Sequence, residues 1–283
     1  MAYCLIFPGQ GSQFPGMSRG LNLDRSIHGD LCALMENGPE DQLDETVNAQ
    51  PAVLSVSVAL WERSGLKEPA LVMGHSLGEY TALVAAGSLQ VPEAIGLVMK
   101  RAAFMDASRP RGQGGMAAVM GLSRQEIGQV LADIPDLWVA NLNGASQIVV
   151  SGSLQSIQTA TPLLRERGAK RVVSLNVSVA SHCPYMDTAR KSLEDHLRNI
   201  DLGAPSCPVV PNVTARPERD PARIRTFLAE QLVRPVRFEE SILAARAQGV
   251  NHFIEIGPRS VLAPLIRRMA PGVKLEVIAN DGH

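Results

Sequence analysis

A serine between two glycines, Gly74-His75-Ser76-Leu77-Gly78, fits the G-x-S-x-G pattern of a nucleophile elbow. In such an elbow the serine lies on a sharp turn between a strand and a helix, and the glycines avoid a crowded Cβ. Residues 71–73 predict the strand, and residues 79–86 favour the helix. Free N–H groups at a helix N-terminus favour developing negative charge. The pattern therefore predicts Ser76 as a nucleophile, with the Leu77 N–H as an oxyanion donor.

Such a serine needs a general base, and histidine suits that role near neutral pH. His182 is our preferred candidate because it follows a predicted strand and precedes Pro184, which suits a first helical turn. The adjacent His75 is expected to point away from Ser76 on a sharp turn. Three further histidines lie in a polar stretch, on a solvated helix face and at a strand start, at positions 28, 196 and 252. Position alone leaves a base and an ordinary loop histidine as equal alternatives for His182.

The group that orients His182 is less defined by the sequence. Asp187 is near in sequence, but we expect it one turn into the following helix and facing away. The unpaired carbonyls at the end of a helix can also accept a hydrogen bond from Nδ1. A carboxylate is therefore not required for the site.

Strands and helices alternate around these groups, which predicts an α/β fold. A buried strand over residues 2–7 stops at Pro8-Gly9, before the flexible loop Gly9-Gln10-Gly11-Ser12-Gln13. Further helices are predicted over residues 51–61, 186–200 and 224–232, and a final strand over 251–256. We predict an α/β-hydrolase-like large subdomain formed by residues 1–115 and 180–283.

The middle of the chain has a different order of predicted strands and helices. Strands are predicted over residues 116–120, 137–141, 147–151 and 171–177, and a second helix over 154–167. Ser123 and Glu126 form a capping box at the start of the first helix. The order β-α-β-β-α-β is that of a ferredoxin-like unit. We predict that residues 116–179 form this small subdomain as an insertion in the larger one.

Composition narrows the possible functions. With 27 basic and 28 acidic side chains the net charge is -1, so the chain has no overall basic field for nucleic acid. No apolar run approaches the roughly 20 residues that span a bilayer, and we see no signal peptide. The four cysteines are scattered, which suggests neither a metal site nor a disulfide framework, at positions 4, 32, 183 and 207. We expect a cytoplasmic protein without nucleic-acid or membrane partners.

Several stretches together resemble the malonyl-CoA:acyl carrier protein transacylases, including the acyltransferases that serve polyketide synthases. The matching stretches run in order through nearly the whole chain: Phe7-Pro8-Gly9-Gln10-Gly11-Ser12-Gln13, Gly74-His75-Ser76-Leu77-Gly78-Glu79-Tyr80, Arg101 with Met105, Gly115-Met116-Ala117-Ala118-Val119, Gln147-Ile148-Val149-Val150-Ser151-Gly152, Ser181-His182-Cys183, Gln231-Leu232 with Pro235-Val236-Arg237, and Glu255-Ile256-Gly257-Pro258.

The resemblance implies a role for each catalytic residue. Ser76 would be the nucleophile and His182 its base. The backbone N–H groups of Gln10 and Leu77 would form the oxyanion hole. The main-chain carbonyl of Gln231 would hold His182, which fits its position at the end of a predicted helix.

The resemblance also implies the substrate. Arg101 would bind the free carboxylate of a malonyl group, since a guanidinium offers two parallel donors to a carboxylate. Gln10, Met105 and Ser181 would lie beside the substrate. By sequence alone Arg101 looks like one of many arginines on a helix surface.

The implied reaction is a ping-pong transfer from malonyl-CoA to the phosphopantetheine thiol of an acyl carrier protein, in fatty acid or polyketide biosynthesis. The coenzyme A thioester is a substrate, and no metal or bound cofactor is expected. Residues 212–217 look like the matching stretch of acyltransferases that act in trans on polyketide synthases; a polar surface loop is the equal alternative.

Some residues depart from the family pattern. Ala102 and Asp106 stand where glycine and glutamine are usual, and Asp106 could compete for the arginine. Ser181 leaves room beside the acyl α-carbon, so some tolerance of methylmalonyl is expected, whereas Leu77 favours malonyl. Residues 20–40 are shorter than usual and predict no helix, which bears on the carrier-docking face.

Two other functions compete with acyl transfer. One is a hydrolase that clears acyl groups from carrier proteins with the same elbow, and the presence of Arg101 argues against it. The other is a scaffold without activity, and the presence of both Ser76 and His182 argues against that.

Overall fold

The computed structural model describes residues 2–23, 29–108, 112–144 and 147–280. These ranges contain nine strands: β1 (Cys4–Phe7), β2 (Leu71–Gly74), β3 (Gly114–Met120), β4 (Leu137–Leu142), β5 (Ile148–Ser153), β6 (Arg171–Ser174), β7 (Val209–Val210), β8 (His252–Gly257) and β9 (Lys274–Ala279). They also contain eleven α-helices: α1 (Leu31–Asn37), α2 (Glu40–Asp44), α3 (Thr46–Ser64), α4 (Gly78–Ala85), α5 (Val91–Asp106), α6 (Arg124–Leu131), α7 (Leu154–Glu166), α8 (Asp187–Leu197), α9 (Pro221–Glu230), α10 (Phe238–Ala247) and α11 (Ala263–Met269). No helix in these ranges is long and apolar enough to cross a bilayer.

Five strands form a parallel sheet in the order β7-β2-β1-β8-β9. Helices cover both faces of this sheet, as the alternating directions of the β1 side chains show. Leu5 and Phe7 pack into the apolar cluster that includes α3, α4 and α5, whereas Cys4 and Ile6 pack into the cluster that includes α10 and α11. The α/β class predicted from the sequence is confirmed.

Two predictions about this part of the chain are wrong. The strand β8 is not the last, because β9 pairs with it in parallel at the edge of the sheet. The edge strand was missed because none of its residues is fully buried, so it leaves no buried apolar run like those of β1 and β2. Residues 20–40 do contain a helix, α1, whose single fully buried residue is Met35. A short helix with so little burial leaves only a weak apolar pattern.

The remaining four strands form an antiparallel sheet in the order β4-β5-β3-β6. With α6 and α7 they follow the predicted order β-α-β-β-α-β, and this topology is the ferredoxin-like one. The capping box of Ser123 and Glu126 is also confirmed. The sheet lies within residues 114–174; the subdomain boundaries at 115/116 and 179/180 stay a prediction.

The antiparallel sheet has two apolar faces. Ala117 and Val119 of β3 pack with α6 and α7. Their neighbours Met116 and Ala118 point to the opposite side, together with Val149 of β5, and line a cavity. At the edge of the sheet, Leu142 N–H donates to the Val236 carbonyl at 2.8 Å, so that β4 is tied to the chain before α10. The sheet therefore forms one wall of the cavity described next.

Candidate active site

Ser76 lies on a turn between β2 and α4, and its φ of 52° is in the left-handed region. Such a backbone is costly for a residue with a side chain and persists only where its surroundings fix it. Gly74 and Gly78 allow the turn: a Cβ on Gly74 would lie 1.9 Å from the Gly78 carbonyl carbon, and one on Gly78 would lie 2.0 Å from the Phe7 oxygen. Both glycines are needed because backbone, not a movable side chain, fills the space.

The loop after β1 approaches the elbow from the other side. A Cβ on Gly9 would lie 2.5 Å from the His75 carbonyl oxygen, so this glycine too is needed for close approach. The next residue, Gln10, lines the same cavity as Leu77. Among the described residues, no hydrogen bond uses the backbone N–H of either one. Two free N–H groups beside a serine form a suitable oxyanion site.

His182 contacts the serine hydroxyl: its Nε2 lies 2.8 Å from Ser76 Oγ. Its Nδ1 lies 2.7 Å from the main-chain carbonyl oxygen of Gln231. A carbonyl only accepts, so Nδ1 carries the proton and Nε2 is free to accept from the hydroxyl. His182 also has a positive φ, 60°. Asp187 is not part of this arrangement, because it begins α8 and forms ion pairs with Arg190 and Lys191.

Burial, and after it the nearby positive charge of Arg101, lower the pKa of His182 to about 3. The histidine is therefore neutral in the resting site over the physiological pH range. A neutral imidazole with a free Nε2 is the form that can take a proton from Ser76.

None of the other described histidines is hydrogen-bonded to Ser76 Oγ, although His75 also lines the cavity of the site. His75 Nε2 is 2.9 Å from Asn143 Oδ1, so it faces β4 and its following turn, as expected for a residue adjacent to the nucleophile. His196 lies on α8, and His252 begins β8 and faces Glu276 at 3.3 Å. His28 lies outside the described residues.

Arg101 is buried, with 1% of its surface exposed, which corrects the expectation of a helix-surface arginine. Its Nη1 donates to Gln50 Oε1 at 2.5 Å, and its Nη2 donates to Gln231 Oε1 at 3.0 Å and to Ser76 Oγ at 3.2 Å. Asp106 ends the same helix five residues on, about 140° around the axis from Arg101. The guanidinium is therefore held beside the nucleophile.

These groups line a cavity of about 340 Å³. It contains the predicted site residues Ser76, His182, Gln10, Leu77, Arg101, Met105 and Ser181. Ser181 Oγ lies 3.2 Å from the sulfur of Met116 on the cavity wall. Gln231 lies behind His182, with no exposed surface. The structure thus brings together every residue that the sequence analysis assigned to the site.

Three buried polar residues behind the site were not predicted from the sequence, namely Gln50, Glu79 and Asn212. Gln50 holds Arg101. Asn212 Oδ1 accepts from the Ser76 N–H at 2.7 Å, and its Nδ2 donates to the Gly74 carbonyl at 2.6 Å. Burial raises the pKa of Glu79 to about 7. A signal for Glu79 was present, because it is the only carboxylate on a helix whose other residues are apolar or small.

The chain matches the acyl transferase domain family over residues 4–274. The malonyl CoA-acyl carrier protein transacylase of Bacillus subtilis (strain 168) is 39% identical, over 97% of this chain and 92% of that protein. The solved transacylase of Coxiella burnetii superposes with a TM-score of 0.93 at 36% identity, over 99% of this chain and 95% of that one. A malonyl-transacylase solved in complex with a type II PKS acyl-carrier protein superposes with a TM-score of 0.92 at 36% identity, over 99% of this chain and 96% of that one. This chain belongs to the malonyl CoA-acyl carrier protein transacylase family, which confirms the resemblance.

Proposed function

We propose that this protein transfers a malonyl group from coenzyme A to the phosphopantetheine thiol of an acyl carrier protein, through a malonyl ester of Ser76. Ser76 is the nucleophile, His182 the base, and the N–H groups of Gln10 and Leu77 the oxyanion hole. Malonyl-CoA and the carrier protein are the two substrates, in fatty acid or polyketide biosynthesis. No metal or bound cofactor takes part.

The observation that carries the malonyl assignment is the environment of Arg101. A buried guanidinium normally pairs with a carboxylate, because an unpaired buried charge is costly. In the described residues Arg101 forms no ion pair; two neutral amide oxygens hold it, from Gln50 and Gln231. Its Nη2 reaches 3.2 Å from Ser76 Oγ, and it lines the cavity. A substrate carboxylate near Ser76 supplies the missing partner.

The first half-reaction uses the geometry directly. Ser76 Oγ attacks the thioester carbonyl carbon as its proton passes to His182 Nε2, 2.8 Å away. The carbonyl oxygen becomes an oxyanion that the two free N–H groups bind. The C–S bond then breaks, and His182 returns the proton to the coenzyme A sulfur. The products are malonyl-Ser76 and free coenzyme A.

In the second half-reaction the carrier thiol is the nucleophile and Ser76 Oγ is the leaving group. The carrier thiol gives its proton to His182 and attacks the ester carbonyl carbon. When the C–O bond breaks, His182 returns the proton to Ser76 Oγ. The carbonyl of Gln231 holds the Nδ1 proton in both halves, and it favours the imidazolium that forms transiently.

Incubation with radiolabelled malonyl-CoA, with and without a carrier protein, tests the proposal. We expect label on wild type that moves to the carrier, and no label on Ser76→Ala. Rapid release of free malonate without a carrier would instead indicate a hydrolase. Absence of label on the wild type would refute the proposal in favour of a scaffold.

The role of Arg101 has its own test. We expect Arg101→Ala to lower the ratio of malonyl to acetyl transfer by at least about tenfold, because a charge-assisted pair in a buried site is lost. Exposed Arg246→Ala at the end of α10 is the matched control. An unchanged ratio in Arg101→Ala would show that another group selects the substrate.

A further inference from the structure

Glu79 is a fully buried carboxylate on α4, three residues after Ser76. Its Oε2 accepts two hydrogen bonds, from Gln231 Nε2 at 2.7 Å and from the Asn212 backbone N–H at 3.0 Å. Its Oε1 has no hydrogen-bond partner among the described residues. Nothing in the acyl transfer steps uses this group, although it lies directly behind the residues that do.

The side-chain amide of Gln231 connects Glu79 to the site. Its Nε2 donates to Glu79 at 2.7 Å and to the Ser76 carbonyl at 3.1 Å, and a longer contact of 3.4 Å reaches Asn212 Oδ1. Its Oε1 accepts from Arg101 Nη2 at 3.0 Å. An amide has one donating and one accepting end, so whatever binds the Nε2 end determines that Oε1 faces Arg101. In the reversed orientation an NH₂ group would face the guanidinium cation.

We propose that Glu79 is a positioning residue for substrate selection, which holds Arg101 toward the acyl carboxylate by fixing the orientation of the Gln231 amide. The inference rests on the proposed function and extends it. Glu79 does not touch the substrate: it acts through Gln231.

Two further features support this arrangement. Glu79 can act in either protonation state, because a carboxylic acid can place its proton on the unpartnered Oε1 and still accept at Oε2. The raised pKa, about 7, means that both states are populated near neutral pH. Furthermore, Gln231 is completely buried, so an N–H left without Glu79 has no water to bind and keeps only the longer contact with Asn212 Oδ1.

The test compares Glu79→Leu with Glu79→Gln, with the ratio of kcat/KM for malonyl-CoA to that for acetyl-CoA as the readout. Leucine removes the acceptor, so we expect the ratio to fall roughly fivefold or more, mainly through a higher KM for malonyl-CoA. Glutamine keeps an acceptor oxygen without the charge, and we expect it to restore most of the ratio. A general folding defect lowers kcat/KM for both substrates together and leaves their ratio unchanged.

A second variant shows whether Glu79 acts through Gln231. Gln231→Met removes the amide but keeps the main-chain carbonyl that holds His182. We expect it to lower the ratio as Glu79→Leu does, and the double variant to lower it no further, since the two act in one chain of contacts. If Glu79→Leu does not fold, the ratio in Gln231→Met decides, and a wild-type value there overturns the inference.

Three further results overturn the proposal: a ratio in Glu79→Leu within about twofold of wild type, an equal loss in Glu79→Gln, or additive losses in the double variant. Equal loss in Glu79→Gln would mean that charge rather than the hydrogen bond matters. A wild-type enzyme without malonyl preference would instead refute the proposed function, and this inference with it. The two failures are therefore distinguishable.

Discussion

The histidine that contacts Ser76 couples the stability of the fold to pH. Burial and then Arg101 lower the pKa of His182 from 6.5 to about 3, so the folded protein keeps it neutral where the unfolded chain protonates it. A histidine with a lowered pKa makes its full contribution to the free energy of unfolding above pH 6.5, and this contribution falls as the pH drops from 6.5 toward 3. We therefore expect the contribution of His182 to the free energy of unfolding to fall in mild acid, opposite in sign to the contribution of Glu79, whose pKa burial raises.

The size of this loss follows from the two pKa values. Each pH unit below 6.5 costs about 1.4 kcal/mol while the folded state stays unprotonated, so at pH 5.0 the loss from His182 is roughly 2 kcal/mol relative to pH 7.5. The His182→Asn variant lacks this pH-dependent contribution to the free energy of unfolding. Asparagine suits the position because it tolerates the positive φ of 60°. His75, whose pKa is also lowered by burial, is present in both proteins, so its effect cancels.

Urea unfolding of the wild type and His182→Asn at pH 7.5 and 5.0 measures the effect. We expect the free energy of unfolding of the wild type to fall by roughly 2 kcal/mol more than that of the variant. His196→Asn, on a half-buried position of α8, controls for the loss of one histidine from the unfolded chain. A wild-type fall that matches the variant within about 0.5 kcal/mol would show that His182 is protonated in the folded state, contrary to our reasoning.

Two further predictions concern stability. Gly78→Ala is expected to lower the free energy of unfolding by several kcal/mol, because its Cβ would lie 2.0 Å from the Phe7 carbonyl oxygen. The control Gly96→Ala on α5, whose Cβ would have nothing within 4 Å, is expected to raise it by up to about 1 kcal/mol. Similar losses in both variants, measured by thermal or urea unfolding, would contradict the need for close approach at Gly78. Glu79 is expected to contribute a loss of roughly 3 kcal/mol as the pH rises from 4.5 to about 7, because the raised pKa disfavours the carboxylate in the folded state. The difference in the free energy of unfolding between the wild type and Glu79→Gln should change by that amount over this range, and a parallel pH dependence in both proteins would refute this.

The local features of the site could be predicted from the sequence. The elbow depends on residues within a few positions of Ser76, and the strand before it and helix after it have clear apolar patterns. The ferredoxin-like unit follows from the alternation of strand and helix patterns with Ser123 as a cap. The contact between Ser76 and His182, across 106 residues of chain, needed the family resemblance as well.

The buried polar residues were harder to predict, because a polar side chain is usually exposed and only tertiary contacts show otherwise. Arg101 is the clearest example. On α5 it lies between Leu97 and Val98 on one side and Met105 on the other, all buried. These positions, at i−4, i−3 and i+4, belong to one helix face. An arginine inside an apolar stripe is therefore a sign of burial, and a buried arginine is a sign of a ligand.

Neutral partners surround the charged Arg101 in the resting site, as a site for a ligand carboxylate requires. A protein carboxylate in contact with Arg101 would satisfy the charge permanently, and a malonyl carboxylate would then have to displace it. Amide oxygens from Gln50 and Gln231 accept hydrogen bonds from Nη1 and Nη2 without cancelling the charge. Glu79 stands one residue further back, where it can fix the Gln231 amide without forming an ion pair with Arg101. We therefore expect selectivity for a carboxylated acyl group to depend on a buried carboxylate that orients Arg101 through the Gln231 amide but, among the described residues, makes no ion pair with it.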